Sequence, residues 1–152
     1  MASILSLGSV LDNIWGTMDK TICTYVGGLR VESVFAPTGE KILTDAPASV
    51  KGQAHYFSPT DLVAAALGSC VLTMMGVAAE REGIDLSGVR IEVDKEMSGT
   101  PSRISKLSVA VTMPPGLSAE HRAKLENIAK RCPVHATLPA EMDKPIEFVY
   151  PD

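Results

Sequence analysis

Leu62 to Ala79 is a run of 18 consecutive residues without a charge, and it limits what this chain can fold into more than any other stretch. Its length is that at which a membrane-spanning helix has to be considered. The run makes a poor span, being mostly Ala, Gly, Ser, Thr and Cys, with no Trp or Tyr belt and no second segment like it. Ahead of it, Ser58-Pro59-Thr60-Asp61 carries three helix-start cues: a Ser at the N-cap, a Pro at the first helical position and an acid three residues after the cap. Behind it, Glu80-Arg81-Glu82-Gly83 supplies a charged last turn and a terminating glycine. In a soluble protein such a helix must be covered on every side. A domain of 152 residues has difficulty doing this alone, so a symmetric second copy, a homodimer, is expected.

The length suits one domain with one core. Hydrophobic residues at 45%, charged residues at 21% and a mean hydropathy of +0.15 exclude wholesale disorder. The net charge is -4, the pI about 5.4, and no dense Lys/Arg run occurs, so nucleic acid is not an expected partner. Three cysteines without a CxxC do not make a disulfide framework and point to a reducing compartment. Before residue 19 the only side-chain charge is Asp12, which is no secretory n-region, and the expected location is cytoplasmic.

Around the long helix the pattern is mixed. Ile4, Leu7, Leu11 and Ile14 have helical spacing, but strand-like alternation opens only after Met18. Residues 1–17 are therefore read as an extension, either dispensable and appended or a docking helix, and residues 18–152 as the single domain. Lys20 to Phe35 reads as two strand pieces with a bulge or tight bend at Gly27-Gly28, and Lys41 to Thr44 as the return strand after the turn at Pro37-Thr38-Gly39. Asp45 to Phe57 reads as a loop. After the long helix, Val89 to Met97 and Ile104 to Val111 alternate as strands. Ser118 caps a second helix, Cys132-Pro133 ends it and opens a short third one, and Pro145 to Tyr150 is a last strand. Strands, helix, strands, helices and strand in this order give an α+β architecture.

No dinucleotide, P-loop, zincin or hydrolase-elbow motif is present, which leaves the cysteines as the carriers of chemistry. In an apolar helix, Cys70 reads most simply as a small core residue. Cys132 sits at a helix N-terminus, where free backbone N–H groups and the helix dipole favour a thiolate, so physical reasoning nominates it as the more acidic thiol, with plain capping as the alternative. Cys23 reads as strand packing. Cys70, Cys132, His121 and His135 together could make a zinc set, although without paired ligand knuckles.

The stretch Ser58-Pro59-Thr60-Asp61-Leu62-Val63-Ala64-Ala65-Ala66-Leu67-Gly68-Ser69-Cys70, followed 62 residues later by Cys132-Pro133-Val134, resembles the OsmC/Ohr family, the osmotically inducible and organic hydroperoxide resistance proteins, from about residue 20 to the end. The resemblance implies an α+β fold in which two chains intertwine, with long apolar helices at the centre wrapped by antiparallel sheets. It implies a thiol peroxidase acting on organic hydroperoxides, with Cys70 as attacking thiol, Cys132 as resolving thiol and an external thiol as reductant, and no cofactor or metal. This reverses the acidity ranking. The family also implies an arginine from an early strand, for which Arg30 is the candidate, with surface pairing to Glu32 as the alternative. A glutamate at the start of the long helix holds that arginine in the family. Its position here is Thr60, and the acids that could replace it are Asp61, which also suits a capping box, and Glu32. On a regular helix Asp61 and Cys70, nine residues apart, lie about 180° from one another.

Three readings follow: a two-cysteine hydroperoxide reductase, a catalytically weak module binding a hydrophobic ligand, and a structural zinc domain.

Overall fold

The structure, a computed structural model, describes residues 20–151. The extension proposed for residues 1–17 lies outside the described residues. The fold is α+β, with one long helix and two three-stranded sheets, and the chain divides into two compact units with the sequence boundary between Pro59 and Thr60.

The first unit is an antiparallel meander of β1 (Thr21–Gly27), β2 (Arg30–Phe35) and β3 (Glu40–Asp45). Gly27-Gly28 provides both features expected of it: the ladder is irregular between Tyr25 and Gly27, and the chain then reverses at once. Gly27 and Gly28 take φ values of 88° and 61°, a region that glycine enters without a Cβ penalty. The next turn, where the Thr38 and Gly39 N–H groups donate to the Phe35 carbonyl at 3.2 and 2.8 Å, sets the register of β3 against β2 and places Arg30 opposite Asp45. Here the sequence reading is corrected. Asp45 is not the start of a loop but the last residue of β3, and it is almost completely buried, at 1% exposure. Its N–H donates to the Phe57 carbonyl at 3.1 Å. The following segment makes a short 3-10 turn, Ala48–Val50, and folds back so tightly that a Cβ on Gly52 would lie 1.7 Å from the Ala46 carbonyl oxygen. Only glycine fits there, and the close return brings residues 53–57 alongside the end of β3.

The second unit is built on α1 (Pro59–Glu82), which begins and ends where the caps indicated, with Gly83 left-handed at φ 68°. By length and composition α1 could cross a membrane, but one stripe of it, Ala64, Leu67, Val71, Met75 and Ala79, is core. That stripe joins Leu107, Val109, Val111, Met113, Leu125, Ala129 and Cys132. A second stripe of α1, Ala66, Ser69, Thr73 and Val77, is exposed. At Gly68 the helix approaches the sheet closely: an added Cβ would lie 3.1 Å from a Val93 methyl and 3.3 Å from an Ile91 methyl. The sheet is β4 (Arg90–Ser98), β5 (Arg103–Thr112) and β6 (Ile146–Val149), with β5 central, antiparallel to β4 and parallel to β6. Alternation on β4 holds as far as Lys95, with Ile91, Val93 and Lys95 on the inner side, but it fails at Met97, which is exposed beyond a register shift after Glu96.

Ser118 caps α2 (Ala119–Ala129) by accepting from the His121 N–H at 3.1 Å. Leu125 and Ala129 face inward, and Arg122 is half-buried over the Tyr150 ring at 4.3 Å. The Tyr150 hydroxyl donates to Glu126 at 2.6 Å. Cys132 is the N-cap of α3 (Pro133–Thr137), with Pro133 in its first turn.

Candidate functional site

Cys70 and Cys132 are brought together. Both are free thiols, Cys70 half-buried on α1 and Cys132 fully buried at the head of α3, and Cys70 is close enough to act on the ionisation of Cys132. The Cys132 sulfur also accepts from the His135 N–H at 3.4 Å, the capping contact expected of it. The acidity expected of Cys132 is not found. Burial pushes its thiol above the ordinary value, the neighbouring Cys70 thiol pushes in the same direction, and the His135 and Val134 backbone N–H groups only partly offset them. The helix-end argument fails because α3 has five residues and its cap is sealed from water.

Arg30 has a different neighbourhood from the one expected. It does not pair with Glu32, whose two carboxylate oxygens instead accept from the Lys41 ammonium at 3.2 and 3.1 Å. The Arg30 Nε lies 3.5 Å from Asp45 Oδ2. Its Nη2 donates to Gln53 Oε1 at 2.5 Å and lies 3.3 Å from His55 Nδ1, and the guanidinium covers the Tyr56 ring at 5.3 Å. Asp45 Oδ2 accepts from the His55 N–H at 3.3 Å. Burial alone would raise the Asp45 carboxyl, but the His55 and Gln53 backbone N–H groups and the Arg30 charge outweigh it and hold the carboxyl below its usual value.

Asp61 is paired with Lys95 at 2.5 Å, and the same ammonium donates to Thr60 Oγ1 at 2.8 Å. Lys95 comes from the inner side of β4, and its side chain is only 18% exposed. Thus the position that resembles the family's glutamate carries a hydroxyl already bound to Lys95, and the acid beside it is bound to the same group. Sequence reasoning singled out neither Lys95 nor Asp45. A lysine on the apolar side of an alternating strand was the available signal for the first. Among the described residues no group of three or more His, Cys, Asp and Glu side chains gathers to hold a metal ion, so the proposed zinc set is not assembled.

The family model for OsmC-like protein matches residues 52–144, more than half of the chain. The chain belongs to the OsmC-like family. A crystal structure of an osmotic stress induced and detoxification response protein from Psychrobacter arcticus 273-4 is similar at 33% identity and a TM-score of 0.82, covering 87% of this chain and 96% of that one. An organic hydroperoxide resistance protein OsmC from Legionella pneumophila matches at 18% identity and a TM-score of 0.68, over 86% of this chain and 97% of that one. One from Elizabethkingia anophelis, also an organic hydroperoxide resistance protein, matches at 14% identity and 0.69, over 89% and 99%. At such identities the last two show the shared fold alone. No curated protein sequence matches significantly. For an OsmC-like chain, the pairing of a half-buried helix cysteine with a buried cysteine before proline is the feature with direct chemical meaning.

Proposed function

We propose that this OsmC-like chain is a cysteine-dependent peroxidase that reduces organic hydroperoxides. The observation that carries the reading is the approach of two free thiols 62 residues apart in sequence, one half-accessible and the other sealed. The Cys70 thiolate attacks the distal peroxide oxygen. The O–O bond breaks, the departing alkoxide takes up a proton and leaves as the alcohol, and the sulfur is oxidised to a sulfenic acid. The Cys132 sulfur then displaces hydroxide, which leaves as water with the Cys132 proton, giving a Cys70–Cys132 disulfide. An external dithiol returns both cysteines to thiols, becoming a disulfide itself. A buried resolving thiol is protected from peroxide, so the order of the two steps follows from access.

Arg30 is the cation proposed to favour the Cys70 thiolate. Asp61, with Thr60, fixes the first turn of the long helix through Lys95. The exposed stripe of α1 (Ala66, Ser69, Thr73 and Val77) and the exposed apolar residues Ile22, Phe35 and Ile42 of the first sheet support a homodimer as the working form. A cytoplasmic location fits three free thiols. The test is turnover of cumene hydroperoxide by the purified protein with dithiothreitol as reductant. Alcohol formation that depends on Cys70 supports the reading. Tight retention of the hydroperoxide without conversion would replace it with the binding-module reading.

A further inference from the structure

We propose that Asp45 is the positioning residue for Arg30 in this chain, because the sheet register sets its buried carboxylate directly opposite Arg30 and the residue 53–56 segment closes around both. This rests on the peroxidase reading for its consequence, not for its geometry.

The other acids are engaged elsewhere. Glu32 lies on the same face of β2 two residues away, but both its oxygens are bound by Lys41. Asp61 is bound by Lys95, and Thr60 can offer only a hydroxyl that the same lysine occupies. Asp45, by contrast, is 1% exposed, and a carboxylate removed from water needs a cation or several N–H donors close by. It has both: the His55 N–H at 3.3 Å and the Arg30 Nε at 3.5 Å. Its Oδ1 and the Arg30 Nε are buried without a hydrogen bond among the described residues, so each is the group that the other can satisfy by a small rotation.

The arrangement differs in kind from an acid on the long helix. Residues directly opposite on adjacent strands have Cβ atoms about 5 Å apart and are held there by the ladder itself. The hold on Arg30 therefore comes from the strand beside it. Gly52, which admits no Cβ, makes it possible, since it lets the chain return and supply the His55 N–H to Asp45 and the Gln53 and His55 acceptors to Arg30 Nη2. Asp45 would thus restrict the guanidinium without touching the peroxide.

The test combines two readouts on the full chain. The first is the Arg30 Nε–Hε signal in a nitrogen-15 NMR spectrum, assigned by its loss in Arg30→Lys. Asp45→Asn, an isostere, is expected to speed exchange of that proton about tenfold or more, since a charge-assisted contact is lost. The second is the rate constant for Cys70 oxidation by cumene hydroperoxide. Asp45→Asn is expected to slow it about tenfold, and Arg30→Ala combined with Asp45→Asn should be no slower than Arg30→Ala alone, within about twofold. Losses that multiply, or an Arg30 signal unmoved by Asp45→Asn, overturn the proposal. Should Asp45→Asn fail to fold, acid titration of the wild type decides: the Arg30 signal must change with protonation of the Asp45 carboxyl, and independence of the two refutes the pairing. If wild-type Cys70 does not react at all, the peroxidase reading has failed, and the NMR readout still decides whether Asp45 holds Arg30.

Discussion

Oxidation of Cys70 and Cys132 to a disulfide should make the folded protein markedly more stable. The bond would close a loop of about 62 residues, and on the chain-entropy description that removes about 4 kcal/mol of freedom from the unfolded chain. Native-state strain normally reduces such a gain. Here Cys70 is already close enough to Cys132 in the reduced protein to raise its pKa, which limits the movement that the bond requires. With a urea dependence of about 2 kcal/mol per molar, the unfolding midpoint should rise by about 2 M. Reduced and oxidised wild type are compared by urea unfolding at one protein concentration, because the proposed dimerisation would add its own concentration-dependent stability. Cys132→Ser treated with the same oxidant is the control and should show no rise. A fully formed disulfide that leaves the midpoint unchanged or lowers it would mean that the folded chain does not hold these sulfurs where the structure has them.

Four further outcomes follow. Cys132 has a raised pKa, so its thiolate is scarce at neutral pH, and the decay of the Cys70 sulfenic acid, followed by stopped-flow, should keep accelerating as pH rises above about 9, the ordinary thiol value. A plateau reached well below that pH would contradict the burial of Cys132. Gly52→Ala should both lower the melting temperature and slow Cys70 oxidation, since the Cβ has no room against Ala46; a variant with wild-type melting and rate would show that the loop closes otherwise. Gly68→Leu should cost about 2 kcal/mol or more in denaturant unfolding by pushing α1 from Val93 and Ile91. Tyr150 has its pKa raised to about 12, with burial first and then the hydrogen bond to Glu126 as causes. A raised folded pKa gives stability that is complete below the unfolded value of about 10 and is lost as pH climbs towards 12. Tyr150→Phe should therefore destabilise by about 1 kcal/mol at pH 7, with the difference fading across that alkaline window.

The elements whose ends are written in local chemistry were legible in the sequence. Ser58-Pro59 and Gly83 bound α1, Ser118 opens α2, Cys132-Pro133 opens α3, and alternation from Arg90 marks β4. The cysteine pair was legible through the family motif, because nothing in the residues alone joins positions 70 and 132. Asp45 was not legible. Followed by Ala46-Pro47, an acid after a short strand looks like the first residue of a loop, and its burial depends on its pairing with Arg30 across the β2–β3 hairpin, 15 positions earlier in the sequence. Lys95 was half legible: its place in the alternation with Ile91 and Val93 marked it as inward, and an inward charge requires a partner. The acidity of Cys132 was misjudged because the helix-dipole rule holds for ends open to water, whereas this cap lies under the core.

The most direct test is peptide mass spectrometry of the reduced protein after one equivalent of cumene hydroperoxide. The expected result is a Cys70–Cys132 disulfide in the wild type, with Cys23 still free, and a Cys70 sulfenic acid that goes on to over-oxidise in Cys132→Ser. Cys70 recovered as a free thiol, while a control peroxidase is fully converted under the same conditions, would contradict the proposed chemistry.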